Sequence, residues 1–379
     1  MRGLKLGLLI AVAVGLLASG VAQAAYTPPH LYDCEPRDPD IAPPPPQPKL
    51  PPEVAAQLSE AIAADEFEAV CPQGEVPSPN AIGRIPKRVA PPEGARRVDG
   101  GAGASRVRTG RTFAPARIRG DRGRGASASR ETINGFWYSW AEGWQTHATT
   151  KGVNALYVSQ TNEQPYIPTG ESELNAHSSA QLWALKRAGG GCFSTAETGW
   201  SESIGQFKDT QPHLFVYSID CGGEGLYSSN AYGGLAWVQS SAVTFPNQTL
   251  THNDAFHVYG ARMTGNNWWI YYDGQWVGYI PHSRWTYLYP NLITESQAGG
   301  EVATPNYSTC ADMGYAALFG GNPGAAMFNY VWYEYNYNTQ SANTDLYSYS
   351  SDPSYYATGN WVYPPNHGNA FRYGGPGWC

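Results

Sequence analysis

Trp268-Trp269-Ile270-Tyr271-Tyr272-Asp273-Gly274-Gln275-Trp276-Val277-Gly278-Tyr279-Ile280 decides the fold class. Two short aromatic and β-branched runs flank an Asp-Gly pair. Such residues favour a pleated, half-buried surface. A two-residue hairpin turn of type I′ needs positive φ at both central positions, and Asp-Gly supplies it. The stretch therefore predicts an antiparallel hairpin with strands at 268–272 and 276–280. Runs of the same kind, bounded by Gly, Asn, Pro and Ser, recur at 136–141, 155–160, 181–186, 197–203, 213–220, 235–239, 255–263 and 326–335. Consecutive short strands without helical periodicity imply an all-β antiparallel β-sandwich, with room for two packed sandwiches.

The rest of the chain has a different character. Residues 1–24 read as a signal peptide. Arg2 and Lys5 precede the apolar run 8–17, and Ala22-Gln23-Ala24 fits a small-x-small cleavage site. The run is short for a membrane span, so a secreted protein with no membrane partner is expected. Residues 25–83 begin with a proline-rich stretch around Pro43–Pro46. One helix follows over 52–70, with Val54, Ala55, Leu58, Ala61 and Ile62 at helical spacing. This reads as a small, partly helical and poorly cored pro-segment, a second reading being a spacer tail.

Charge separates the next two regions. Residues 84–130 hold 13 Lys/Arg against 3 Asp/Glu, while residues 131–379 hold 7 against 18. The basic stretch is rich in Gly, Ala, Ser and Pro, with Phe113 as its one aromatic residue. That composition fits an exposed linker rather than a nucleic-acid platform, so no nucleic-acid partner is expected. Residues 131–379 form the expected main domain. Six cysteines in an exported chain favour disulfides. Spacing leaves their pairing open. The expectation adopted is Cys34–Cys71, Cys192–Cys221 and Cys310–Cys379, which keeps every pair within one segment.

Common hydrolase signatures are absent: no HExxH, GxSxG or phosphate loop occurs. His252 and His257 are five apart and face opposite sides of a strand, so no metal or cofactor is expected. Two carboxylates stand in unusual settings. Glu197 lies in Ala196-Glu197-Thr198-Gly199-Trp200, and Glu301 in Gly299-Gly300-Glu301-Val302. Glycines ahead of a Glu let the backbone approach another group closely, and apolar flanks desolvate a carboxyl. By local sequence alone, each also fits a solvated residue at a strand edge.

A set of motifs, taken in order, is more specific. Gln181-Leu182-Trp183, Glu197-Thr198-Gly199-Trp200, His213–Tyr217, Asn267-Trp268-Trp269 through Val277-Gly278-Tyr279 to Pro281, Gly299-Gly300-Glu301-Val302, and Tyr373-Gly374-Gly375-Pro376-Gly377 with Cys379 occur in sequence. From about residue 177 onward this series resembles the catalytic domain of the neprosin family, plant glutamic endopeptidases and their bacterial relatives. Two departures are Ala298 and Ile280, where the family has Trp. Residues 25–130 match no motif of the plant activation segment.

The resemblance implies a β-sandwich endopeptidase, released from a precursor, that cleaves after proline in acid. Its catalytic glutamates fall on Glu197 and Glu301. Chemically, an ionised Glu takes a proton from water, while a protonated carboxyl donates to the substrate carbonyl. Two carboxyls that share a site resist double ionisation, so acid suits the pair. The sequence leaves open which Glu is the base, with Glu197 preferred. Gln181 is a candidate oxyanion helper. Trp200, Trp268, Trp269, Tyr271, Tyr272 and Tyr279 are expected to line a cleft where proline stacks. Proline-containing peptides are the expected substrates, and the chain's own pro-segment the expected inhibitor. The main rival is a carbohydrate-binding or glycoside-cleaving sandwich, since such enzymes also use paired carboxylates. A binding module with structural glutamates is a second.

Overall fold

A computed structural model describes residues 32–64, 70–79, 131–133, 136–147, 152–170, 176–187, 193–219, 226–227, 237–240, 244–281, 293–306, 311–315, 326–335, 339–342, 347–350, 355–358 and 370–376. The elements of the first half are β1 (Tyr32–Pro36), α1 (Pro52–Ala64), β2 (Glu75–Pro79), β3 (Glu131–Ile133), β4 (Phe136–Thr146), β5 (Val153–Asn162), β6 (His177–Arg187), β7 (Phe193–Glu202), α2 (Ile204–Phe207) and β8 (His213–Ile219). They continue with β9 (Leu226–Tyr227), β10 (Val238–Gln239), β11 (Asn253–Thr264), β12 (Asn267–Tyr272), β13 (Gln275–Ile280), β14 (Glu295–Thr304), β15 (Ala326–Tyr335), β16 (Thr339–Ala342), β17 (Tyr347–Ser350), β18 (Ala357–Thr358) and β19 (Phe371–Gly374).

These strands form one sandwich rather than two. A nine-stranded sheet runs β10-β13-β12-β11-β5-β15-β19-β18, with β16 on β15; an eight-stranded sheet runs β17-β4-β14-β6-β7-β8-β9, with β3 on β4. The pairings of both sheets are antiparallel. Alternation sends every second side chain into the space between the sheets. There Leu156, Val158, Leu182, Trp200, Leu214, Trp268, Ile270, Val302 and Phe371 join one buried core.

The deciding hairpin forms as expected. Asp273 (φ 38°) and Gly274 (φ 83°) both occupy left-handed backbone between β12 and β13. The Asp273 carboxylate also accepts from the Val258 backbone N–H at 2.7 Å. Most expected strands are present, several of them longer than expected. Of those that were missed, the longest is β14, the strand of Glu301. Its two central glycines mask the alternating pattern, yet close packing requires both. A Cβ on Gly299 would lie 2.5 Å from the Ala141 carbonyl oxygen, and one on Gly300 would lie 2.6 Å from the Tyr373 ring.

The N-terminal segment is better cored than its composition suggests, because its core is borrowed. β1 and β2 pair as an antiparallel ribbon, with the Cys34–Cys71 disulfide close by. Helix α1 lays Val54 and Leu58 on the outer face of the nine-stranded sheet, against Tyr157, Trp269, Tyr271, Trp276, Tyr279 and Trp332. Ala61 is buried on the same stripe, while Ile62 is 39% exposed. Polar contacts fasten the approach to the helix: Gln47 Nε2 donates to the Gly274 carbonyl at 3.1 Å, and the Ala42 N–H donates to the Tyr279 hydroxyl at 3.3 Å. Residues 65–69, which carry most of the expected end of the helix, fall outside the described residues, as do residues 1–31 and the linker 84–130. The expected pairs Cys192–Cys221 and Cys310–Cys379 lie outside them too.

Candidate active site

The outer face of the eight-stranded sheet collects polar groups where an outer face normally meets water. Glu301 on β14 is in register with Trp140 on β4 and Ser179 on β6. Ser179 is in register with Ser201 on β7. One row along the strands, Glu142, Gly299, Gln181, Gly199 and Phe215 stand side by side. In the row beyond, Gln297, Trp183, Glu197 and Tyr217 align. Glu197, Glu301 and Gln181 therefore share one face of one sheet, with Gln181 at the middle of the diagonal from Glu301 to Glu197. All three are at most 1% exposed.

The glycines on either side of Gln181 shape this floor. A Cβ on Gly199 would fall 2.0 Å from the Ala180 carbonyl oxygen and 2.6 Å from the Gln181 Cα. With Gly299 on the other flank, the row has bare backbone beside the Gln181 amide. Trp140 stands beside Glu301 in register, with Tyr138 one row along, while Trp183 and Tyr217 flank Glu197 in register, with Phe215 one row along.

The two glutamates do not share one site as expected; they stand at the ends of the diagonal. Two strand spacings and four residues of offset put their Cα atoms roughly 16 Å apart, taking about 4.8 Å between strands and 3.3 Å per residue. Side chains stand roughly perpendicular to a sheet, so a single water does not bridge them in this arrangement. Each is also held by a partner on the far side of the diagonal. The Trp140 indole N–H donates to Glu301 Oε2 at 2.9 Å, and His177 Nε2 lies 2.9 Å from Glu301 Oε1. The Thr195 hydroxyl donates to Glu197 Oε1.

The aromatic residues expected to line the cleft lie elsewhere. Trp200, Trp268 and Tyr272 point into the core between the sheets. Trp269, Tyr271 and Tyr279 lie on the opposite outer face, beneath α1. Alternation explains the error: neighbours such as Trp268 and Trp269 face opposite ways, and their whole hairpin belongs to the other sheet. The sequence reading also missed His177, Trp140 and Glu142. The signal was available for β4, where Tyr138, Trp140 and Glu142 share one parity; ending that strand at residue 141 hid it.

Two more buried carboxyls face inward. Burial pushes Glu163 up to about 8, against hydrogen bonds from Thr161 and Tyr373. Burial, then the charge of Asp209, pushes Glu202 up to about 9. Among the described residues no group of three or more His, Cys, Asp and Glu is placed to hold a metal ion, and no helix is long and apolar enough to cross a membrane.

Comparison with known proteins adds one strong match and several loose ones. The family model described as Neprosin matches residues 174–376, which contain Gln181, Glu197 and Glu301. Among solved structures, a Bacillus licheniformis beta-glucanase is 14% identical with a TM-score of 0.24, over 63% of this chain and 77% of its own. The carbohydrate-binding module CBM66 from Bacillus subtilis is 11% identical with a TM-score of 0.22, over 43% and 78%. A kappa-carrageenase from Pseudoalteromonas carrageenovora is 9% identical with a TM-score of 0.22, over 64% and 81%. At those TM-scores the likenesses decide nothing about chemistry.

Proposed function

Because this chain belongs to the neprosin family, we propose that it is an endopeptidase of the glutamic type. Its reaction would take place on the outer face of the eight-stranded sheet. The observation that carries this reading is the diagonal of Glu301, Gln181 and Glu197 on one face, with glycine on both sides of Gln181. A peptide laid along the diagonal meets bare backbone at its centre and a carboxyl at each end.

The hydrogen bonds favour Glu301 as the base, the reverse of the assignment preferred from sequence. A carboxylate that accepts an indole N–H on one oxygen, with an imidazole nitrogen 2.9 Å from the other, is favoured in its ionised form. Ionised Glu301 takes a proton from the attacking water. The Gln181 amide donates to the developing oxyanion. Glu197, turned from Thr195 toward Gln181, gives a proton to the departing amine. This sequence runs in acid, where one carboxyl is ionised and the other is not.

Cleavage after proline, export and activation from a precursor complete the proposal. Trp183, Phe215 and Tyr217 near Glu197 offer ring faces on which a proline can stack. The signal-like residues 1–24 and the Cys34–Cys71 disulfide fit an oxidising destination. Residues 25–130 act as a pro-segment, its helix α1 seated on the face opposite the carboxyls, that is cut within 84–130 in acid; Pro115 is one after-proline site there. N-terminal sequencing after incubation at about pH 4 tests the cut. An unchanged start at residue 25 with full activity refutes it. The peptidase itself is tested by profiling a peptide library across pH. Cleavage at proline in acid, lost in Glu301→Gln and in Glu197→Gln variants that still fold, supports it. Full activity in either variant refutes it.

A further inference from the structure

A third carboxyl belongs to this face, and it lies outside the matched residues 174–376. Glu142 has the parity of Tyr138 and Trp140 on β4, whereas Ala141 turns into the core between the sheets. It is in register with Gly299, while Glu301 is in register with Trp140. Glu142 and Glu301 are thus diagonal neighbours on adjacent strands, about 7–8 Å apart at Cα. Gly299 puts no side chain between them, and a Cβ there would lie 2.6 Å from both Cα and Cβ of Glu142.

The two carboxyls are unequally supported. Glu301 has partners on both oxygens. Glu142 is 1% exposed, and its Oε2 has no hydrogen-bond partner among the described residues. Burial lifts Glu142 well above the ordinary carboxyl range, and the charge of Glu301 lifts it further. Among the described residues, those in register with it, Gly299 and Tyr349, supply no compensating cation. On β14 the facing titratable groups are Glu301 and, further along the strand, Glu295; on β17 the residue in register is Tyr349; on β3, Glu131 is in register with Tyr138. His177 on β6 reaches the pair through Glu301.

Resting on the peptidase reading above, we propose that Glu142 is a positioning residue of the site: it keeps its proton beside an ionised Glu301, and so sets the pH above which Glu301 stops working. Two buried carboxyls this close do not both ionise readily. The proton stays on the one without donors. When rising pH finally removes it, a second negative charge faces Glu301 across the bare backbone of Gly299.

Two measurements on the full exported chain test this. The first is the pH profile of proline-peptide cleavage. Glu142→Gln, which mimics the protonated form, moves the high-pH limb up by about one unit or more and leaves the low-pH limb in place. A purely structural role lowers the whole curve without moving either limb. That outcome, or a profile of wild-type shape, overturns the proposal. The second is 13C NMR titration of glutamate carboxyls. In wild type a third carboxyl, besides those of Glu163 and Glu202, stays protonated well above the ordinary range; its signal alone is lost in Glu142→Gln, and it titrates lower in Glu301→Gln. A Glu142 carboxyl already ionised at about pH 5 in wild type overturns the proposal. If wild type cleaves no peptide at any pH, the peptidase reading fails, and the NMR titration alone decides where the proton sits.

Discussion

The two outer faces of the sandwich follow the same alternation and reach opposite ends. On the nine-stranded sheet the outward positions are large and apolar: Tyr157, Trp269, Tyr271, Trp276, Tyr279 and Trp332, sealed by Val54 and Leu58 of α1. On the eight-stranded sheet the outward positions include Glu142, Ser179, Gln181, Glu197 and Glu301, all at most 1% exposed. Burying apolar rings stabilises a fold by about 25 cal/mol per Å². Burying carboxyls costs stability unless they are paired or protonated. The first face is thus explained by docking alone, whereas the second needs a further reason, and chemistry is one.

Each prediction presses on that contrast. The largest effect is expected from Glu301→Gln: proteolysis falls about a thousandfold or more, while the thermal midpoint holds or rises because a buried charge is gone. A large fall in the midpoint would mean that the glutamate is structural and would erase the distinction between the faces. Next is Gly299→Ala. The added methyl collides with the backbone of β4, so displacement of the floor beside Gln181 costs about a hundredfold in kcat/KM. An unaltered rate would show that the floor tolerates movement.

On the opposite face, Leu58→Ala weakens the seating of α1 by about 2–3 kcal/mol, with faster limited proteolysis of residues 52–64 and little change in carboxyl titration. A shifted titration would join the two faces that the contrast separates. The smallest effect is on pH and stability. Glu163 and Glu202 hold protons in the folded state to about 8 and 9, but in the unfolded chain they release them near the ordinary 4.5. The folded state therefore binds more protons across that window, and stability falls as pH rises through it. The thermal midpoint is expected to be lower at pH 8 than at pH 4, with the drop blunted in Glu163→Gln.

Much of the sandwich was legible because alternation and turn chemistry are local. Asp273-Gly274 specified its hairpin without reference to any other part of the chain. β14 was not legible, since Gly299 and Gly300 reflect contacts with Glu142 and Tyr373 that are distant in sequence. Glu197 and Glu301 were found through a resemblance and fell on one face. Their offset of four residues could not be read, because register is a property of strand pairs. The aromatic residues failed as a cleft for the same reason. Composition shows that Trp269 and Tyr279 are buried by something; only the sheet order shows that the cover is α1.

The seating of α1 has a consequence in mass action. Severing the backbone anywhere in 84–130 would leave the helix gripping its aromatic bed, since that grip does not pass through the cut. What changes is the tether: an intramolecular contact becomes a two-chain complex, and the fraction that stays bound then depends on dilution. Shedding the N-terminal piece would therefore be complete in a large volume and partial in a confined one, so full release reports on how much space surrounds the molecule as well as on the scission itself.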